Sequence, residues 1–165
     1  MKLILQIKYR NDTRLMDLLG GWLADLMESL EWAPEVITAV PLGHKREQTR
    51  GYNQAAMIAQ ALAAKLDVPY MAKVLIRTRE TRSQVGLDAF EREANVRDAF
   101  QGNRQAGRGV SILVVDDLFT TGATLAACAK ALYAAGAAEV RGVTIARAMG
   151  RDRIPETRKG VVHDR

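Results

Sequence analysis

Residues 112–124 read Ile112-Leu113-Val114-Val115-Asp116-Asp117-Leu118-Phe119-Thr120-Thr121-Gly122-Ala123-Thr124. Ile112 to Val115 form an unbroken apolar run of the length expected for a strand buried on both faces. Two carboxylates, Asp116 and Asp117, follow where such a strand would emerge. Thr120, Thr121, Gly122 and Thr124 come next, and an alanine-rich helical run spans Ala123 to Ala135. The order is strand, acids, hydroxyl-rich turn, helix start. Free backbone N–H groups and the positive end of the helix dipole gather at that turn, which suits a phosphate. Gly122 permits close backbone approach, and the threonine hydroxyls add donors. The acids repel a phosphate, but they accept hydrogen bonds from sugar hydroxyls and can hold magnesium. The pattern is that of a sugar-phosphate site, with phosphate in the turn and sugar hydroxyls against the acids. Solvated turn acids are the plainer reading of Asp116 and Asp117, but that reading leaves the Thr-Thr-Gly-x-Thr tail unexplained.

Alternating elements surround this unit. Leu15, Leu18, Leu19, Trp22, Leu23, Leu26, Met27 and Leu30 recur at three- and four-residue spacing, which predicts a helix over 13–30 with Trp22 in the core. Residues 35–40 read as a strand ending at Pro41, and 52–66 as a helix with Ile58, Leu62 and Leu66 on one face. Residues 70–76 read as a second strand, 78–86 as a polar, basic, mobile loop and 89–96 as a short helix. Residues 102–109 read as a surface connection, 112–115 as the third strand, and 123–135 as a long helix stopped at Gly136. Residues 140–146 read as a fourth strand. Strands alternating with helices predict an α/β fold with a parallel, Rossmann-like sheet and helices on both faces. The ligand should lie beyond the carboxyl ends of the strands. Three loops leave such ends, after Val40, Ile76 and Val115.

A chain of 165 residues fits one domain with a real core. Residues 1–149 are assigned to that domain, and 150–165 to a basic C-terminal tail with few apolar residues, expected to fray. Hydrophobic residues make up 48% and charged residues 26%, a soluble globular balance. No apolar run approaches the roughly 18 residues that span a bilayer. Gln6 and Lys8 interrupt the run Leu3 to Leu5 too soon for a signal peptide, so a cytoplasmic location without membrane insertion is expected. Cys128 is the single cysteine and reads as a buried small hydrophobe. With two histidines, His44 and His163, it cannot form a closed tetrahedral site without carboxylates, so no zinc is expected. Net charge is +5. Lys45, Arg46 and Arg50 cluster after Pro41, and Lys73, Arg77, Arg79 and Arg82 cluster in the next inter-element segment. Both clusters suit a diphosphate or a nucleic-acid backbone, with solvated loop charge as the bland alternative. Aromatic residues are only 5%, too few for a strong single-strand stacking platform.

The stretch 112–124 resembles the phosphoribosyl pyrophosphate (PRPP) signature of type I phosphoribosyltransferases. Two more stretches, Arg50-Gly51-Tyr52-Asn53-Gln54-Ala55 and Arg77 followed by Gln84, Leu87, Arg92, Asn95-Val96 and Ala99-Phe100, are similar to the ComF family. These are phosphoribosyltransferase-like proteins linked to competence and DNA uptake, and the resemblance covers most of the chain, from Lys8 to Arg147. It implies the type I phosphoribosyltransferase fold with a small N-terminal hood around Lys8. It also implies magnesium-dependent transfer of phosphoribosyl from PRPP to an acceptor that the sequence does not reveal. Asp116, Asp117 and Arg77 would be catalytic, with magnesium held through PRPP near the two acids rather than directly. Thr120, Thr121, Gly122, Ala123 and Thr124 would bind the 5′-phosphate. Leu42, Gly43, His44, Lys45 and Arg46 would form the pyrophosphate loop, and Arg79, Arg82 and Gln84 would belong to a flexible loop that closes over it. The alternative is a non-catalytic PRPP- or nucleotide-binding module that contacts single-stranded DNA. A homodimer or a partner from the competence machinery is expected under either. ComF proteins usually carry an N-terminal cysteine-rich zinc finger, which one cysteine cannot build, so the chain is expected to be a short variant or to begin at an internal start. Asn53 and Gln54 read equally as a helix cap or as ligand groups, and Tyr52 as sheet packing.

Overall fold

The computed structural model describes residues 13–43, 47–49, 51–81 and 88–147. Helix α1 (Thr13–Ser29) precedes strand β1 (Val36–Ala39) and helix α2 (Gln54–Leu66). A 3₁₀ turn (Ala72–Val74) leads into β2 (Leu75–Arg77), followed by α3 (Ala89–Val96) and β3 (Phe100–Gly102). The one-turn helix α4 (Arg104–Gly107), strand β4 (Ser111–Phe119), helix α5 (Ala123–Ala134) and strand β5 (Glu139–Arg147) complete the described chain. The expected N-terminal hood around Lys8, the tail from residue 150 and His163 lie outside the described residues.

The main sheet has the order β1-β4-β5 and is parallel, with Ala39 opposite Val115 and Val115 opposite Val143. Its centre is the apolar run of β4, and the two-residue period of a strand divides that run between two cores. Leu113 and Val115 pack with Ile37, Leu19 of α1, and Ile58 and Leu62 of α2. Ile112 and Val114 pack with Val74, Val96, Phe100, Cys128 and Leu132. Four consecutive positions are apolar because both faces of this strand are covered. The fold is therefore three-layered α/β with a parallel sheet, as the alternation of elements predicts.

Two departures have clear physical causes. The predicted strand 70–76 is divided: Tyr70 makes an isolated parallel bridge to Ile37, then the chain turns and β2 pairs antiparallel with β3, Leu75 opposite Gly102. Strand β3 was not expected, because three residues with only Phe100 buried carry too little alternation to read. The region 102–109, expected as a surface connection, begins in that strand and holds α4, with Gly107 buried against Val74. The second departure is Trp22, expected in the core but 54% exposed, on a flank shared with Leu18, Leu26 and Leu30. Gly20 explains it. A Cβ there would lie 2.7 Å from Ala61 Cβ, so α1 approaches α2 closely along the narrow stripe of Met16, Leu19, Leu23 and Met27. That contact leaves the neighbouring stripe uncovered. No helix among the described residues is long and apolar enough to cross a membrane.

Asn53 uses both ends of its amide. Its Oδ1 accepts from the Ala56 N–H at 3.4 Å, capping α2, and its Nδ2 donates to the Val40 carbonyl at 3.0 Å. One side chain thus starts a helix and pins it to the end of β1. Asn53→Ala should lower stability by about 1–2 kcal/mol. Asn53→Asp should recover the cap but not the tie, and urea denaturation of the two variants separates the contributions.

Candidate functional site

The site is assembled where β1 and β4 leave the sheet. Strand β4 runs past its apolar segment to Phe119, so Asp116 and Asp117 are strand residues, with Asp116 opposite Thr144 of β5. The Val40 N–H donates to the Val115 carbonyl at 2.9 Å, so residues 41–43 leave the sheet beside Asp116.

After Phe119 the chain turns through Thr120, Thr121 and Gly122 into α5. Gly122 has φ +82°, a conformation that side chains disfavour, and a Cβ there would also press on the Phe119 ring at 3.1 Å. No side chain caps α5 through Gly122, and the first-turn Ala123 N–H lies 3.4 Å from Thr121 Oγ1. Helical bonding begins with the Ala126 N–H on the Gly122 carbonyl at 2.9 Å. Backbone and hydroxyl donors are thus concentrated at a helix start whose dipole favours an anion. The Arg147 guanidinium, at the end of β5, lies 5.5 Å from the centre of the Phe119 ring. The side chain beneath the turn is therefore held from two directions.

The two acids touch through a hydrogen bond. The Asp117 N–H donates to Asp116 Oδ1 at 2.9 Å. Burial first, and then the neighbouring Asp117 charge, push the Asp116 carboxyl up to about 7. Asp116 is therefore poised between acid and anion near neutral pH. Cys128 lies buried on α5, and burial together with the Asp116 charge pushes its thiol far up, while the Arg77 charge opposes this. Such a thiol is inert and serves as a small apolar side chain. Two adjacent carboxylates are hard oxygen donors suited to magnesium that keeps water and substrate ligands. Among the described residues no group of three metal-ligating side chains exists.

Arg77 bridges the two loops beside the acids. Its Nη1 donates to the Pro41 carbonyl at 3.2 Å, its Nε to the Arg79 carbonyl at 3.2 Å and its Nη2 to Thr81 Oγ1. The same group lies 5.4 Å from the centre of the Phe100 ring. Arg79 turns the other way: its Nη2 donates to the carbonyls of Asn95 and Arg97, at 3.1 and 2.6 Å, where α3 ends. Leu42 and Gly43 sit at the root of the loop after β1. His44, Lys45, Arg46, Arg50, Arg82 and Gln84 lie outside the described residues.

The structure thus brings Asp116, Asp117 and residues 120–124 into one strand–turn–helix unit, and sets Pro41 to Gly43 with Arg77 beside it. Arg79 is directed to α3 instead. Gln54 is buried at the start of α2 with its Nε2 unpartnered, whereas Asn53 is structural. Phe119 and Arg147 were missed from sequence. An apolar residue between acids and threonines was a visible signal for Phe119, but its partner depends on the β4–β5 register. A cleft of about 790 Å³ opens between α3 and α5 and reaches the turn, with Thr121, Gly122 and Ala123 at one end and Phe100 in its wall.

Comparison with known proteins agrees with this fold. A family model described as the phosphoribosyl transferase domain matches residues 52–162. Competence protein F of Haemophilus influenzae is 40% identical over 119 residues, 70% of this chain and 51% of that protein. Competence protein ComFC of Bacillus subtilis is 34% identical over 113 residues, 68% of this chain and 44% of that protein. The chain spans about half the length of the curated relatives it matches. Among solved structures, glutamine PRPP amidotransferase from B. subtilis superposes with a TM-score of 0.60 at 22% identity, covering 86% of this chain and 30% of that one. That likeness shows the type I phosphoribosyltransferase fold.

Proposed function

The chain belongs to the phosphoribosyl transferase domain family, in its ComF branch, and on that premise we propose that it binds PRPP with magnesium and transfers phosphoribosyl to an acceptor in DNA uptake or nucleotide metabolism. The observation that carries the reading is the acid pair of β4 followed directly by a glycine-gated turn at the open start of α5. A generic anion site has no use for two carboxylates next to its donors, whereas a sugar phosphate needs both halves. In this reading Thr120 to Thr124 anchor the 5′-phosphate, and Asp116 and Asp117 accept hydrogen bonds from the ribose hydroxyls.

In the reaction the bond from C1 to the diphosphate oxygen breaks, the electron pair leaves with the diphosphate, and an acceptor atom bonds to C1. Positive charge grows on the ribose, where the nearby carboxylates stabilise it. Fixing the sugar at both ends supplies orientation, and little covalent help is needed. Magnesium, when bound, neutralises charge on the diphosphate. Arg77 holds the loop after β1 against the segment after β2, which keeps the walls of the diphosphate region in place.

The competence names of the relatives favour a second reading, a PRPP- or nucleotide-binding module that contacts single-stranded DNA without turnover. Incubation with PRPP, magnesium and a panel of bases, amines and single-stranded DNA separates the two. Pyrophosphate release that depends on an acceptor is expected for the enzyme. PRPP binding without release, weakened by oligonucleotide at low salt, is expected for the module. Calorimetry that detects no PRPP binding at all would sink both.

A further inference from the structure

Small residues usually let helices close on one another, as Gly20 does where α1 meets α2. On α5 they leave a gap. Ala126, Ala127 and Ala131 line the cleft of about 790 Å³ that separates α5 from α3, a volume typical of small-molecule sites. Its apolar wall is Val96 and Phe100, both buried. That wall is fixed from several sides. Asp88 and Glu91 cap the start of α3 reciprocally, and Arg79 Nη2 holds the carbonyls of Asn95 and Arg97 at its end. The Arg77 guanidinium stands 5.4 Å from the centre of the Phe100 ring. A wall ordered in advance spares a ligand the cost of ordering it.

The cleft and the phosphate turn share residues: Thr121, Gly122 and Ala123 line the one and belong to the other. A pocket that selects a terminal phosphate surrounds it, whereas this turn gives onto the flank of α5 through the cleft. The charged groups of the cleft balance, Glu93 and Asp98 against Arg97 and Lys130, and Lys130 faces Asp98 at 3.8 Å. Balanced charge draws in no long polyanion, but donors and acceptors beside apolar walls suit a flat group with polar edges. We propose that the α3–α5 cleft binds a nucleoside joined to the sugar phosphate through its 5′-phosphate, so that the turn accepts an esterified phosphate and not only a terminal one. The inference rests on the PRPP reading above, in which the turn takes the 5′-phosphate. The ribose then lies against Asp116 and Asp117, its phosphate in the turn and the second nucleoside against Val96 and Phe100. The proposal is one of binding and involves no covalent step.

The test is calorimetry with two ligand pairs, each differing by the added nucleoside, and with PRPP as reference. Uridine 5′-phosphate is set against the dinucleoside monophosphate ApU, and ribose 5-phosphate against ADP-ribose. The first pair presents a single phosphate link and the second a diphosphate link. The added nucleoside should tighten binding about tenfold in at least one pair, as expected for one base held on apolar and aromatic walls. Ala126→Leu and Ala127→Leu, which place a good helix former in the cleft, should each remove that gain and leave uridine 5′-phosphate and ribose 5-phosphate unchanged. Thermal melts confirm folding. A gain in the first pair assigns a phosphodiester ligand, and a gain in the second a nucleoside diphosphate ligand. Weaker binding of both esterified ligands than of their parents would mean that the turn demands a terminal phosphate, which overturns the inference and leaves the PRPP reading standing. Equal binding within each pair, or a gain that both leucine variants keep, overturns it as well. No binding of PRPP, ribose 5-phosphate or uridine 5′-phosphate removes the PRPP reading, and this inference with it.

Discussion

PRPP affinity should fall at least roughly 100-fold at pH 8 in the double variant Asp116→Asn, Asp117→Asn. Each carboxylate would accept charge-assisted hydrogen bonds from a ribose hydroxyl, worth about 1.5–3 kcal/mol apiece, and asparagine keeps the shape while losing the charge. The wild-type profile should also depend on pH. Burial, and after it the Asp117 charge, push the Asp116 carboxyl up to about 7. Affinity for magnesium and PRPP should therefore climb between pH 6 and 8, and Asp116→Asn should flatten the climb. Stability should move in the opposite sense. The folded carboxyl titrates above its ordinary value of 3.8, so the folded state favours the proton. The charge costs nothing below about pH 4, costs progressively more up to about 7, and costs its full amount above that. Asp116→Asn should accordingly stabilise the chain at pH 8 by roughly 2 kcal/mol, or about 5 °C in Tm, with the gain gone near pH 4. Calorimetry across pH, paired with thermal melts, reads both arms. A double variant that binds PRPP like wild type would remove the acids from the site.

The parts of this protein that were legible in its sequence are those written in consecutive residues. Ile112 to Val115 declared a strand covered on both faces, and Gly122 with its threonines declared the turn at the start of α5. Asn53 was readable as a cap because capping is local, although its second bond, to Val40, was not. What stayed hidden depends on segments far apart in the chain. Strand β3 exists because Leu75 to Arg77 lie against it. Trp22 is exposed because Gly20 sets how near α1 comes to α2, which helical periodicity alone does not encode. The flexible-loop arginines looked alike as charges, yet Arg77 spans the two loops while Arg79 serves the end of α3. Charge in a loop states what a residue can bind and leaves open which acceptor reaches it first.

Gly102→Val tests how the site depends on packing behind it. Gly102 ends β3 and lies under α5, where a Cβ would meet the Ala131 carbonyl oxygen at 2.6 Å and Ala135 Cβ at 2.7 Å. Valine suits a strand by propensity, so a purely local argument expects a gain. The contact with helix backbone decides otherwise, because it is relieved only by moving α5 or breaking β3 from β2. Overpacking of this kind costs about 3 kcal/mol, which for a chain of this length lowers Tm by roughly 6–12 °C. Gly21→Ala is the contrasting control. It lies within α1, nothing stands within 4 Å of its added Cβ, and the change should stabilise by about 0.5–1 kcal/mol. The loss at Gly102 should reach the ligand as well, since the start of α5 is the turn at residues 120–122. PRPP should therefore raise the Tm of Gly102→Val less than that of wild type, while Gly21→Ala keeps the full ligand shift. A Gly102→Val protein that melts within 2 °C of wild type would mean that α5 does not rest on β3, and the phosphate turn would then need another support.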